Sequence, residues 1–291
     1  MKPLLNQAST PKNENQESIS KSSASGRRFR GLHFRMKAIG YQLAAAITFF
    51  TRLPVWKIVT IPAEAFSNII CFWPMTGIIT GSLTALAWLG SSYFFSPIIA
   101  IILAFAARVL FTGGFHEDGL ADFLDGFGGG RTKADVLRIM KDSHLGSYAL
   151  IGFVLYYSLL FNSLNSIPKE VIATIIFVSD PFSKFLAILP MNLLPYARTE
   201  NESKSKTLYK NLTFPRWIIA VIFGFSPIVI LLDVKLLPAL LLPITILIIT
   251  YLLLRKKIGG YTGDTCGAIA LLCELGFFMA VSGMYHFINL K

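Results

Sequence analysis

The sequence predicts an all-α protein of the polytopic membrane class, a bundle of about seven transmembrane helices with an N-terminal interfacial helix. Its 291 residues are 54% hydrophobic and only 15% charged, with a mean hydropathy of +0.59. This composition is far more apolar than that of a soluble domain. Several apolar runs approach the length of about 20 residues that a helix needs to cross a bilayer. Basic residues gather in alternate connections, as expected for a membrane bundle with one cytoplasmic face.

The segment 1–37 is predicted to be a disordered basic tail that precedes a single membrane-embedded domain over 38–291. It is rich in Ser, Asn, Gln and Lys and holds eight Lys or Arg against two Glu. Such a segment cannot bury enough apolar surface to fold alone. Its basic end favours contact with anionic membrane lipid. The +11 net charge is accordingly assigned to lipid head groups and anionic substrates, and no nucleic-acid signature is present.

The next run, 38–50, has 13 residues and is too short to span, so we expect it to lie in the membrane interface. The seven expected spans cover 68–90, 93–112, 147–166, 170–190, 216–233, 236–254 and 265–288. With this arrangement the tail, the loops 113–146 and 191–215, and the basic triplet 255–257 all fall on one side. The positive-inside rule makes that side the cytoplasm. We expect the protein to lie in the inner membrane as a multi-pass protein.

The loop 113–146 contains an acidic segment, GGFHEDGLADFLDGFGGG at 113–130. If 117–127 is helical, Asp118, Asp122 and Asp125 stack at i, i+4 and i+7 along one face. Clustered carboxylates repel each other unless a cation neutralises them, and hard oxygen ligands favour Mg²⁺ or Mn²⁺. We therefore predict a magnesium site at Asp118, Asp122 and Asp125 with Glu117 as a further ligand, although Glu117 lies about 100° away on an ideal helix. The alternative is a solvated acidic face, which the interleaved Gly, Leu, Ala and Phe residues disfavour.

Glycines and basic residues surround the acids. Gly113, Gly114 and Gly129 would let a backbone approach a ligand and offer N–H groups to phosphate oxygens, although a simple hinge around a surface helix is the alternative. Arg131 and Lys141 supply positive charge and Asp142 a further carboxylate. Basic groups beside a metal site fit a pyrophosphate-bearing substrate better than a transported cation.

Five other polar groups stand near or inside the expected spans. His116 is predicted to assist proton removal or to orient Asp118 from behind the metal site. Asp264 could bind substrate at the same site, or it could cap the last helix beside Thr262. Glu274 should face the bundle interior because charge in lipid is costly. Asp180 and Lys184, at i and i+4, are expected to form a structural pair. The three cysteines have no disulfide or zinc spacing.

At these residues the sequence resembles a known family. GGFHEDGLADFLDG followed by IMKDSHLGSY is similar to the signature of cobalamin (5′-phosphate) synthase, the adenosylcobinamide-GDP ribazoletransferase of late vitamin B12 synthesis. Further matching stretches are Thr51-Arg52-Leu53-Pro54, SKFLAILPMNLLPYAR at 183–198 and GGYTGDTCGA at 259–268. The resemblance extends from about residue 37 to the end of the chain. Lys184 departs from it, because an arginine is expected there.

The resemblance implies a reaction in which α-ribazole or its 5′-phosphate attacks adenosylcobinamide-GDP and displaces GMP. It implies Mg²⁺ as the cofactor, catalytic roles for Asp118, Asp122 and His116, and a substrate contact at Arg52. An oligomer is compatible with the sequence. Two alternatives stay open at this stage, a lipid synthase of the CDP-alcohol phosphotransferase type and an ion-coupled transporter. The transporter is disfavoured because the acids lie at a membrane edge and not at mid-membrane.

Overall fold

The structure, a computed structural model, describes residues 37–198 and 211–289. Within these two ranges it is helical without a named strand, and an isolated parallel bridge joins Tyr196 to Tyr261. The chain divides into two compact units, Met1–Tyr41 and Gln42–Lys291. Residues 1–36, nearly all of the expected tail, lie outside the described residues, so the disordered tail stays a prediction.

Ten α-helices are described. The first, α1, covers 37–50. The other nine are α2 (Trp73–Ser91), α3 (Pro97–Thr112), α4 (Phe115–Gly129), α5 (Lys133–Ile139), α6 (Ser147–Asn165), α7 (Lys169–Leu193), α8 (Phe214–Leu231), α9 (Leu241–Lys257) and α10 (Gly263–Asn289). A 3₁₀ segment, Ala63–Phe72, leads into α2, and another, Val234–Leu240, leads into α9.

Within the described ranges, six helices are long and apolar enough to cross a membrane, or seven if the bent pair α3 and α4 counts as one span. This confirms a polytopic helical bundle. The second expected span, 93–112, is shorter than predicted because α3 begins at Pro97, after Ser96 in an extended conformation. The helix α4 is bent by 94° from α3. If α3 crosses the membrane, α4 therefore runs roughly along its plane, outside the spanning segments.

Three helices form the centre of the bundle. The best apolar windows of α2, α7 and α10 are 67%, 78% and 72% buried, whereas those of α6, α8 and α9 are 22% to 28% buried. The outer helices expose apolar side chains, as lipid-facing helices do. Close packing of α2 against α7 requires Gly77, since a Cβ there would lie 2.6 Å from the Pro181 Cα atom. Small residues permit such backbone approach where lipid supplies no hydrophobic driving force.

One end of the bundle collects the basic connections. The Lys257 Nζ atom donates to the Gly130 carbonyl at 3.1 Å, joining the end of α9 to the end of α4. The Ala197 N–H group donates to the Tyr261 carbonyl at 2.8 Å. The segments 113–146, 191–198 and 255–264 are thus neighbours, in agreement with the single side to which the sequence assigned them. Lys204, Lys206 and Lys210, which belong to the loop 191–215, lie outside the described residues.

Candidate active site

The acidic segment begins at a tight glycine turn. Gly113 and Gly114 have φ values of +77° and +71°, a left-handed conformation that glycine adopts without the steric cost of a Cβ. Both N–H groups donate to the Val109 carbonyl, at 2.8 and 2.9 Å. This turn ends α3 and starts α4 in a new direction. The two predicted glycines therefore set the position of the acids.

The helix predicted over 117–127 is confirmed as part of α4, Phe115–Gly129. Asp118 is exposed, Asp122 is half-buried and Asp125 is buried. Helix α10 approaches α4 at Gly119, where a Cβ would lie 2.8 Å from the Asp264 carbonyl oxygen. This backbone contact brings the first turn of α10, with Asp264, to the face of α4 that carries Asp118 and Asp122.

The alternative cap role of Asp264 belongs to other residues. The Thr265 N–H group donates to the Thr262 hydroxyl at 3.2 Å, and the Thr262 N–H group donates to the Thr265 hydroxyl at 2.9 Å. Since these threonines satisfy the start of α10, the Asp264 carboxylate is left for other contacts. It pairs with the Arg198 guanidinium at 3.0 Å.

The carboxylates at this junction repel each other. Burial first, and then the charges of Asp264 and Asp118, together raise the pKa of Asp122 to about 7 against the opposing effect of Arg198. Burial and mutual repulsion disfavour the charged form of these carboxylates, and a divalent cation bound by their hard oxygen atoms would stabilise that charged form. The donor set Asp118, Asp122 and Asp264 therefore fits Mg²⁺. Among the described residues, no three acidic, His or Cys side chains already surround one metal-sized position, so the magnesium site stays a prediction.

Asp125 occupies a different position from the one predicted. Its carboxylate accepts hydrogen bonds from the Gly146 N–H group at 2.7 Å and the Ala149 N–H group at 2.9 Å. These are orphan donors at the start of α6, so Asp125 caps that helix. Although it shares a helical face with Asp118 and Asp122, both of its oxygens are engaged by the backbone. We therefore leave Asp125 out of the proposed metal ligands.

His116 is buried behind the acids and not exposed to substrate. Its Nε2 atom accepts from the Trp73 indole N–H at 3.3 Å, and its ring stacks with Trp73 at 5.7 Å between centroids. Burial, followed by the charges of Lys184 and Arg108, holds the pKa of His116 well below its usual value. The neutral ring has its acceptor nitrogen occupied. Of the two predicted roles, this geometry fits the supporting one and disfavours proton abstraction.

Glu117 faces the interior of the bundle. Its Oε2 atom is buried and has no hydrogen-bond partner among the described residues. It lines a cavity of about 10 Å³, which is roughly the space that one water molecule needs. That cavity also touches His116, Arg108 and Glu274. Glu117 is thus placed between the exposed acids and a buried charged network.

The buried network pairs the charges that lie inside the spans. Arg108 donates to Glu274 at 2.6 Å, and the Ser179 hydroxyl donates to the same carboxylate oxygen at 3.2 Å. Lys184 pairs with Asp180 and donates to the Thr80 hydroxyl at 2.7 Å. The predictions that Glu274 faces the bundle and that Asp180 pairs with Lys184 are confirmed. Pairing of this kind lowers the cost of charge in a membrane.

Among the described residues, no side-chain hydrogen bond or ion pair joins four predicted substrate contacts to Asp118, Asp122 or Asp264. Gly129 is eleven residues beyond Asp118 on α4, roughly 16 Å along the helix axis. Arg131 lies just before α5 and Lys141 just after it, and both side chains are exposed. The Asp142 carboxylate is exposed and pairs with the His144 Nδ1 atom at 2.6 Å. Any substrate contact at these residues stays a prediction.

Sequence reasoning did not single out Arg198 or Arg108 as site residues. Arg198 ends the PYAR stretch and is brought to Asp264 by the Tyr196–Tyr261 bridge. Arg108 stands alone in the apolar run of α3, and an isolated charge in a span signals a buried partner. Trp73, the partner of His116, carried no such signal because an aromatic residue in an apolar run is ordinary.

A second, open cavity of about 620 Å³ lies beside Asp118. Its walls include the glycine turn and the segment that follows α1. The lining residues are Phe49, Thr51, Arg52, Thr112, Gly113, Gly114, Phe115, Glu117, Asp118, Ala121, Leu145 and Phe153. Arg52, the predicted substrate contact, is thus placed in one cavity with Asp118.

Comparisons with known proteins match this arrangement to one family. A sequence model of the family described as cobalamin-5-phosphate synthase matches residues 42–282. A protein of Shewanella pealeana named adenosylcobinamide-GDP ribazoletransferase is 38% identical over 241 residues, covering 80% of this chain and 92% of the relative. A protein of the same name from Shewanella sp. strain W3-18-1 is 34% identical, covering 81% of this chain and 91% of the relative. No solved structure matches the chain.

Proposed function

Because the chain belongs to the cobalamin-5-phosphate synthase family, we propose that it is an adenosylcobinamide-GDP ribazoletransferase. It joins α-ribazole, or its 5′-phosphate, to adenosylcobinamide-GDP and releases GMP. The observation that carries this proposal, beside the family match over 42–282, is the meeting of α4 and α10 at Gly119. That contact gathers Asp118, Asp122 and Asp264 beside an open cavity.

The reaction is a phosphoryl transfer. A hydroxyl oxygen of the acceptor forms a bond to the corrinoid-side phosphorus, the bond from that phosphorus to the GMP oxygen breaks, and the hydroxyl proton is lost. Such transfers ask a protein mainly to position the reactants and to neutralise the charge on the phosphoryl oxygens. An acidic cluster alone would repel the pyrophosphate, so the site needs a cation.

In this proposal Asp118, Asp122 and Asp264 hold Mg²⁺. The ion supplies charge neutralisation for the pyrophosphate and the leaving GMP. Arg198 holds the Asp264 carboxylate at 3.0 Å, and the Thr262 hydroxyl donates to the same oxygen at 3.3 Å. These contacts fix the direction of Asp264 toward α4. Glu117 lies behind this set, with its buried oxygen directed to the interior.

We further propose that the bundle lies in the inner membrane with the site on the cytoplasmic side. The end that carries the acids is also the end that carries Arg131, Lys133, Arg138, Lys141, Arg198 and the triplet 255–257. The connections at the opposite end hold only Lys169 and Lys235. This asymmetry is the basis of the positive-inside rule.

An assay that offers two nucleotide-activated donors separately tests the function. The purified full-length protein is incubated with Mg²⁺, α-ribazole and either labelled adenosylcobinamide-GDP or labelled CDP-diacylglycerol. We expect α-ribazole-dependent release of GMP from the first donor and no transfer from the second. Transfer from CDP-diacylglycerol alone would support a lipid synthase and overturn the proposal.

A further inference from the structure

We propose that the 620 Å³ cavity beside Asp118 is the acceptor subsite, and that Arg52 binds the 5′-phosphate of α-ribazole 5′-phosphate there. This inference rests on the proposed function and adds the orientation of one substrate. The acceptor would lie with its phosphate at Arg52 and its reacting hydroxyl toward Asp118.

The Arg52 side chain is held in place by the glycine turn. The backbone N–H group of Arg52 donates to the Phe111 carbonyl at 2.8 Å, which fixes the segment after α1 against the end of α3. The guanidinium lies directly on Gly113, where any Cβ would collide with the Arg52 Nε atom. In the part of the chain that the structure describes, this guanidinium has no ion pair and no side-chain hydrogen bond. It is an exposed cation with its donors free for a ligand.

The cavity walls suit an aromatic base that has few hydrogen-bonding groups. Phe49 and Phe115 pack edge to face at 5.4 Å between ring centroids, and Phe153 lines the same cavity. The hydroxyls of the two lining threonines are already committed. Thr51 donates to the Ile47 carbonyl at 2.6 Å, and Thr112 donates to the Arg108 carbonyl at 3.1 Å.

The lining offers few polar groups to a bound base. Among the lining side chains, Arg52 is the sole remaining hydrogen-bond donor. The benzimidazole-type base of ribazole has no exocyclic oxygen or amine, so phenylalanine walls satisfy it.

Charge sets the direction of the bound acceptor. The lining holds one cation, Arg52, and two carboxylates, Glu117 and Asp118. A phosphate monoester carries close to two negative charges at neutral pH, so it is repelled from the carboxylate wall and attracted to the guanidinium, which can bind it with two parallel hydrogen bonds. The ribose hydroxyl is then directed to the side where the proposed metal ligands lie.

Equilibrium dialysis of the full-length protein with labelled α-ribazole and labelled α-ribazole 5′-phosphate tests the assignment. We expect Arg52→Gln to raise the Kd for the phosphorylated acceptor roughly 10- to 100-fold, the loss expected for a charge-assisted hydrogen bond. The Kd for unphosphorylated α-ribazole should change less than about twofold, because the phosphate contact is absent from it. Phe153→Ala should raise the Kd values of both acceptors by a similar factor.

Two further variants serve as controls. Lys57→Gln removes an exposed charge five residues away, outside the cavity lining, and should alter neither Kd. Arg52→Lys keeps the charge but loses the planar fork, so it should give an intermediate loss for the phosphorylated acceptor. Equal effects of Arg52→Gln on both acceptors, or an effect confined to the affinity for adenosylcobinamide-GDP, would overturn the assignment. The function itself fails separately, if the parent protein releases no GMP.

Discussion

Three aspartates on one face of α4 have three different environments. Asp118 is exposed, Asp122 is half-buried beside Asp264, and Asp125 accepts two backbone hydrogen bonds from the start of α6. Three identical side chains are therefore divided between a proposed metal-binding surface and a structural cap. The division is decided by which helix packs against each turn of α4.

Asp125→Asn should mainly reduce stability. An amide has one acceptor oxygen where the carboxylate offers two, so one of the Gly146 and Ala149 N–H groups loses its partner. Loss of such a cap costs about 1–2 kcal/mol, which thermal unfolding in detergent would detect as a lower Tm. Asp118→Asn, at an exposed position, should leave Tm unchanged. An Asp125→Asn protein with the parent Tm but no activity would restore Asp125 to the metal site.

Metal affinity should depend on pH through Asp122. Its pKa of about 7 means that below pH 7 a proton occupies the carboxylate, and the cation must displace it. The affinity should therefore rise with pH, by roughly tenfold between pH 6 and pH 8 for one such group. Electron paramagnetic resonance of Mn²⁺ titrations of the purified protein measures this. Asp122→Asn should flatten the dependence, and an unchanged slope in that variant would assign the proton elsewhere.

At the scale of elements, the site depends on the contact between α4 and α10. Gly119→Ala would place a Cβ 2.8 Å from the Asp264 carbonyl, so the two helices must separate. We expect lower activity together with a lower Tm, since the displaced backbone carries Asp264. Gly283→Ala, on α10 with nothing within 4 Å of the added Cβ, is the matched control and should keep both quantities. A fully active Gly119→Ala protein would show that this contact does not position the site.

The elements were largely predictable from the sequence because each span is an apolar run of suitable length. The acidic helix was predictable from the spacing of its aspartates. The packing partners of the site residues were not predictable. Gly119 meets Asp264, Asp125 meets α6 and Trp73 meets His116 only because of how distant helices pack. No local pattern marks such contacts. Arg108 is the exception, because a lone arginine in an apolar span implies a buried acidic partner.

For the whole molecule, the two ends of the bundle should face different compartments. Lys141 lies at the end with the acids, and Tyr93 lies in the connection between α2 and α3 at the other end; both are exposed. With a membrane-impermeant maleimide, Tyr93→Cys should label in intact cells and Lys141→Cys only after lysis. The chain's own three cysteines are buried, so background labelling should be low. The reverse pattern would invert the orientation.

The central claim is that the acids of α4 perform phosphoryl transfer with Mg²⁺. The measurement that tests it most directly is the release of GMP from adenosylcobinamide-GDP by the Asp118→Asn and Asp122→Asn proteins. Each variant should insert and unfold like the parent protein, yet its turnover should fall roughly 10²–10³-fold, the loss typical of one group that stabilises transition-state charge. The double variant should lose far less than the product of the two single losses, because the ligands act as a unit. Higher Mg²⁺ should partly restore the single variants. Near-parent turnover in both single variants would contradict the account and leave these acids as a solvated helix face.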